Sequence, residues 1–193
     1  CNVYFYELGR RLGIDRLDEY AKKFGLGEYT GIELTEETAG HMASPEYKKQ
    51  AVVNVTDSDW FGGDTLQTAI GQSYSLFTPV QLANYCATIA NGGTRYKVNL
   101  IDSIRSSVDG SVVEKFGSEV VEKIDMDPQT VNQIHNGMKK VVDEGSARSI
   151  FEGYPIAVGG KTGTAQLGKG ANNAVFIAFA PFDNPKIAVA VVL

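Results

Sequence analysis

Gly159-Gly160-Lys161-Thr162-Gly163-Thr164-Ala165-Gln166 puts one cation, two hydroxyls and three glycines into eight residues. Two chemistries use such a string. A phosphate-binding loop, G-x-x-x-x-G-K-[ST], ends as Gly160-Lys161-Thr162 does, but its first glycine would fall on Pro155. The nearer Gly153 leaves six intervening residues instead of four. Such a loop also opens a helix, whereas Leu167–Asn173 lead into a second apolar run. The alternative is an extended strand. Around the string the pattern is that of strands: Ile156–Gln166, Ala174–Ala180 and Lys186–Val192, with Phe182-Asp183-Asn184-Pro185 turning the chain between the last two.

Upstream the period changes to that of helices. Residues 3–12 and 15–24 are expected as helices, the second with Leu17, Tyr20, Ala21 and Phe24 at helical spacing and Gly25 at its C-terminal cap. Residues 26–43 are loop-like. Ser44-Pro45-Glu46 starts a short helix, and another is expected from Asp64 into Gln72. Thr78-Pro79-Val80-Gln81 is a capping box with proline in the first turn; its helix runs to about Asn91, where Gly92-Gly93 stops it. Residues 96–116 are expected to be extended, with Asp109-Gly110 as a type I′ hairpin turn. Asp127-Pro128 opens a long helix with Val131, Ile134, Met138, Val141 and Val142 on one face; Gly145 ends it, and Ser146–Phe151 form one more short helix. Helices followed by antiparallel strands give an α+β fold.

Composition narrows the function. Lys and Arg number 18 against 23 Asp and Glu, a net charge of −5. Basic residues occur singly or in pairs (Arg10–Arg11, Lys22–Lys23, Lys139–Lys140) that read as solvated helix faces, which argues against a nucleic-acid partner. The longest apolar run, Ile187–Leu193, is far short of the roughly 20 residues of a membrane span. Cys1 and Cys86 form no C-x-x-C, and His41 and His135 lie far apart, so a structural zinc site is not expected, and the reading below implies no metal and no cofactor. The chain opens directly on a helical pattern and closes within a strand pattern, and is expected to be part of a larger domain.

Three further blocks accompany Lys161-Thr162-Gly163. Cys1-Asn2-Val3-Tyr4-Phe5 resembles the S-C-N-x-x-F form of an S-x-N motif, with Asn2 on the motif's Asn. Ala69-Ile70-Gly71-Gln72-Ser73 followed by Thr78-Pro79-Val80-Gln81-Leu82-Ala83 resembles I-G-Q-G…T-P-x-Q-x-A, with Ser73 in place of the second glycine. Ala174–Pro181 resembles the strand that follows the Lys-Thr-Gly motif. In this order, over about residues 1–193, the blocks resemble the transpeptidase domain of class B high-molecular-weight penicillin-binding proteins, whose motifs are S-x-x-K, S-x-N and K-T-G.

The resemblance implies the penicillin-binding protein and serine β-lactamase fold, an antiparallel sheet flanked by helices. Residues 1–193 would be the C-terminal portion of one transpeptidase domain, its N-terminal part and first strands lying upstream of Cys1. It also implies an acyl-serine reaction on peptidoglycan stem peptides ending in D-Ala-D-Ala, a reaction that β-lactams block. Lys161 would act on the substrate carboxylate and in proton movement, and Thr162 and Thr164 would offer hydroxyls to that carboxylate. Gly163 would let a peptide lie along the strand, and the Thr164 amide would form half of an oxyanion hole. Asn2 would orient substrate and the catalytic lysine; a helix-capping role for it is compatible with that. No Ser is followed three residues later by Lys, and no S-x-N is complete. Thr94-Arg95-Tyr96-Lys97 comes nearest to S-x-x-K but sits in an expected strand. The chain alone is therefore expected to lack the nucleophile and to be inactive. The parent would be membrane-anchored at the extracytoplasmic face, in a cell-wall synthesis complex, with this segment itself soluble. A D,D-carboxypeptidase, a serine β-lactamase and a non-catalytic β-lactam sensor or binding module share the fold.

Overall fold

The computed structural model describes residues 1–52, 57–166 and 170–193. In chain order the elements are α1 (Asn2–Leu12), α2 (Ile14–Lys23), α3 (Pro45–Ala51), α4 (Gly62–Ala69) and α5 (Pro79–Ala90), then β1 (Thr94–Tyr96), β2 (Ser103–Arg105), β3 (Val112–Lys115) and β4 (Val120–Lys123), then α6 (Pro128–Asp143), α7 (Arg148–Phe151), β5 (Gly159–Ala165), β6 (Asn173–Ala180) and β7 (Ile187–Val192). The fold is α+β, as expected.

Local chemistry explains most of the ends. The cap of α2 is a Schellman motif: the Leu26 amide donates to Ala21 O and the Gly25 amide to Lys22 O, with Gly25 at φ 78°. Ser44 accepts from the Tyr47 amide at the start of α3. Thr78 and Gln81 close the expected capping box of α5. The same Gln81 is buried and donates from Nε2 to Glu28 O and Ala39 O, both at 2.6 Å, so one side chain ties the 26–43 loop to α5. His41 in that loop stacks on Tyr47 at 3.8 Å, and His135 sets Nε2 2.8 Å from Ile89 O; both serve packing.

Three expectations change, and one strand was not expected. Helix α4 begins at Gly62 rather than Asp64, because the Asp64 carboxylate accepts from the Phe61 amide and so sits inside the first turn; the helix stops at Ala69, leaving Ile70–Gln72 as a turn. Asp109-Gly110 is not a two-residue I′ turn: among the described residues Gly110 has positive φ but Asp109 does not, and the Gly110 amide donates to Ser106 O across a longer loop. The Asp109 carboxylate instead accepts from the Ser111 amide and hydroxyl, a local bond that competes with the tight turn. Asn2 does not cap α1; it is the first helical residue, behind Cys1. Strand β4, antiparallel to β1, has no counterpart in the sequence reading, because its side chains are mostly exposed and carry no alternation.

The main sheet has the order β5-β6-β7, antiparallel throughout. Apolar clusters lie on both of its faces. Cys86, Ile89 and Ala90 of α5 pack with Met138 and Phe179, while Val142, Ala147 and Val158 pack with Ala178. Adjacent residues of a strand face opposite sides, so Phe179 and Ala178 anchor the two clusters back to back. Helix α6 contributes Met138 to one and Val142 to the other and runs along β5. That arrangement leaves β5 as an edge strand with α6 beside its first residues.

Candidate active site

The two glycines that open β5 are there for packing. A Cβ on Gly159 would lie 2.6 Å from the Phe179 ring, and one on Gly160 would lie 2.8 Å from the Phe176 ring. The strand is thus gripped by one phenylalanine on each face. Gly163 differs: a Cβ there would meet Val175 at an ordinary 3.5 Å, so the fold does not demand glycine at this position. Residue 163 is exposed.

Direction along the edge follows from register. Residues alternate, so Lys161 and Gly163 share the face of Gly159, and Thr162 and Thr164 share the face of Gly160. Leu193 and Ala174 exchange both backbone hydrogen bonds, so Ala174 points its polar groups at the β7 side and Val175 points its own at β5, opposite Gly163. The N–H and C=O of Thr162 and Thr164 therefore face the open edge. Among the described residues two side chains use that edge: Lys161 Nζ donates to Thr162 O, and Gln72 Nε2 donates to Thr164 O at 3.3 Å. The Thr164 amide, on the same edge, is directed outward.

Lys161, Thr162, Gly163 and Thr164 are thus brought to one edge, with Lys161 and the two hydroxyls on opposite faces of it. Asn2 stands at the start of α1, exposed; among the described residues no hydrogen bond joins it to β5. Two residues beside the strand were not singled out as site residues in the sequence. Gln72 belongs to the turn after α4. Ser146, just after α6, sets its Oγ 2.7 Å from Thr162 Oγ1. Gln72 lies in the I-G-Q-G-like block, but nothing in that block tells that it reaches β5, and nothing local marks Ser146; both meet β5 only through long-range packing. A cavity of about 350 Å³ borders the site, between Gly71, Gln72 and Tyr85 on one side and Gly163, Thr164 and Val175 on the other. Among the described residues no group of three His, Cys, Asp or Glu side chains could hold a metal ion, and no helix is long and apolar enough to cross a membrane.

An α+β domain that presents a Lys-Thr-Gly edge strand beside a groove is the class of protein defined so far. The family profile described as "Penicillin binding protein transpeptidase domain" matches residues 1–193, and the chain belongs to that family. It is similar to the peptidoglycan D,D-transpeptidase MrdA of Haemophilus influenzae, 33% identical over 211 residues that cover all of this chain and 31% of that protein. Its fold matches the crystal structure of Pseudomonas aeruginosa PBP2 in complex with WCK 5153 with a TM-score of 0.83 at 34% identity, covering 100% of this chain and 40% of that one. It also matches penicillin-binding protein A of Mycobacterium tuberculosis, solved as an imipenem acyl-enzyme complex, with a TM-score of 0.78 at 26% identity, covering 100% and 40%. These similarities place the chain with the class B, PBP2-like transpeptidases. It spans about a third of the length of the curated relative.

Proposed function

We propose that residues 1–193 supply the substrate-cradling half of a peptidoglycan D,D-transpeptidase site and that the serine nucleophile comes from outside them. The observation that carries this is the contrast among the β5 glycines. Gly159 and Gly160 are required by the phenylalanines, whereas Gly163 is free of packing constraint and sits exposed on an edge that pairs with no strand among the described residues. A glycine that the fold does not need, beside outward amide and carbonyl groups, suits a peptide laid antiparallel to the strand.

In this reading the stem peptide pairs with the open edge of β5. Its terminal carboxylate meets the hydroxyls of Thr162 and Thr164 and the field of Lys161. The scissile carbonyl points its oxygen at the Thr164 amide, which stabilises the negative charge that develops there. The serine oxygen forms the ester as the D-Ala nitrogen leaves with a proton, and an amine of a neighbouring stem then takes the acyl group. Lys161 is a compact, strongly hydrated cation on a flexible stem, suited to favouring the anionic carboxylate. Asn2 orients the donor amide. β-Lactams enter by the same edge. The whole protein is membrane-anchored and acts within a cell-wall synthesis complex.

The test is intact mass with and without benzylpenicillin, on residues 1–193 and on the full gene product containing them. An adduct on the full product alone, mapped to a serine outside 1–193, is expected. Acylation of any serine within 1–193 overturns the division of labour.

A further inference from the structure

The geometry points to Ser146 as a positioning residue for carboxylate recognition, acting through the Thr162 hydroxyl. This rests on the reading above that Thr162 receives the substrate carboxylate.

Ser146 is held between two fixed neighbours. A Cβ on Gly145 would come within 2.8 Å of Val141 Cα and 2.9 Å of Val141 O, so the chain reverses there only because no side chain is present. Ala147 is 1% exposed, part of the apolar cluster around Val142, and its amide donates to Val141 O. The turn after α6 is therefore pinned on both sides of the serine. Thr162 is pinned as well, by β-pairing opposite Phe176. The two oxygens stand 2.7 Å apart, and either can donate.

Stability does not call for this pair. Ser146 is exposed and Thr162 only half-buried, so water could satisfy both hydroxyls. What the pair does is choose a direction. A carboxylate only accepts hydrogen bonds, and a hydroxyl has one proton to give. If Thr162 gave its proton to Ser146, it would turn a lone pair on the anion. With a bound carboxylate, Ser146 donates to Thr162 Oγ1, and the Thr162 proton is directed at the anion. The chain of two bonds polarises the outer one. The site then prefers a charged carboxylate over a neutral ester of the same shape.

The experiment compares acylation of the full gene product by benzylpenicillin and by its methyl ester, for wild type, Ser146→Ala, Ser146→Thr and Thr162→Val. Loss of one oriented hydrogen bond is expected to lower the acylation efficiency with the acid about threefold to tenfold in Ser146→Ala. The ester rate stays unchanged, and Ser146→Thr, which keeps the hydroxyl at an exposed position, restores the acid rate. Thr162→Val shrinks the same acid-over-ester preference, and Ser146→Ala adds nothing to it. If Thr162→Val shrinks the preference while Ser146→Ala does not, the inference fails and the function proposed above stands. If Ser146→Ala slows acid and ester equally, Ser146 only shapes the turn, and the inference fails. If Thr162→Val leaves the preference intact, the carboxylate is not seated on Thr162, and the underlying assignment fails together with the inference.

Discussion

Gly159 and Gly163 lie four residues apart on one face of one strand, yet they do opposite things. At Gly159 the ring of Phe179, 1% exposed, occupies the space a methyl group would need. Gly159→Ala is expected to destabilise the protein by about 1–3 kcal/mol through overpacking, read as a fall in the denaturation midpoint. At Gly163 the same change meets only an ordinary contact and is expected to leave stability within about 0.5 kcal/mol. It should nonetheless slow benzylpenicillin acylation of the full gene product, because the added methyl group stands beside the open edge at which the peptide is proposed to pair. Equal loss of stability at both positions would remove the basis for treating Gly163 as functional. The sequence shows three glycines here; only their neighbours distinguish them.

Among elements, the turn after α4 carries the clearest local strain. Ser73 has φ 72°, the one positive φ outside glycine among the described residues. This is the position at which the family pattern I-G-Q-G has glycine, so the departure noticed in the sequence falls on a conformation that favours glycine. Ser73→Gly is expected to raise stability by up to about 1 kcal/mol in chemical denaturation, part of the relief being offset by the freer unfolded chain. Because the turn also carries Gln72 to Thr164 O, the substitution tests whether the strain is needed at the site. Higher stability with unchanged acylation would make Ser73 a tolerated departure, and slower acylation would make it a tuned one. The motif residue Gln81, by contrast, is fully accounted for by structure: it closes a cap and holds two loop carbonyls.

For the molecule as a whole, Cys86 reports on integrity. It is fully buried between α5 and the sheet, and burial pushes its thiol up to about 12 from an ordinary 9. Cys1 is exposed. A thiol reagent at pH 8 should label Cys1 in the native protein and reach Cys86 only on unfolding. Prompt native labelling of Cys86 would contradict the packing of α5 on β6 and β7. The sign of the pH effect follows: an acid whose pKa is raised by folding stabilises the fold fully below its unfolded value. That contribution falls as pH rises from about 9 toward 12, where only the unfolded chain is thiolate.

What the sequence determined by itself was whatever one segment's chemistry can set. The caps at Ser44, Thr78 and Asp127, the stop at Gly25, the three C-terminal strands and the presence of Lys161, Thr162, Gly163 and Thr164 on one of them all follow from spacing and from which groups satisfy nearby amides. Tertiary structure decided the rest. That β5 is an edge strand, that Thr162 and Thr164 turn their backbone outward, and that Gln72 and Ser146 reach them across 92 and 16 residues depend on which surfaces bury each other. Short exposed strands such as β4 and the Asp109-Gly110 loop escaped for the same reason: their conformation is fixed by pairing partners and side-chain bonds, and their own sequence holds no periodic burial to read.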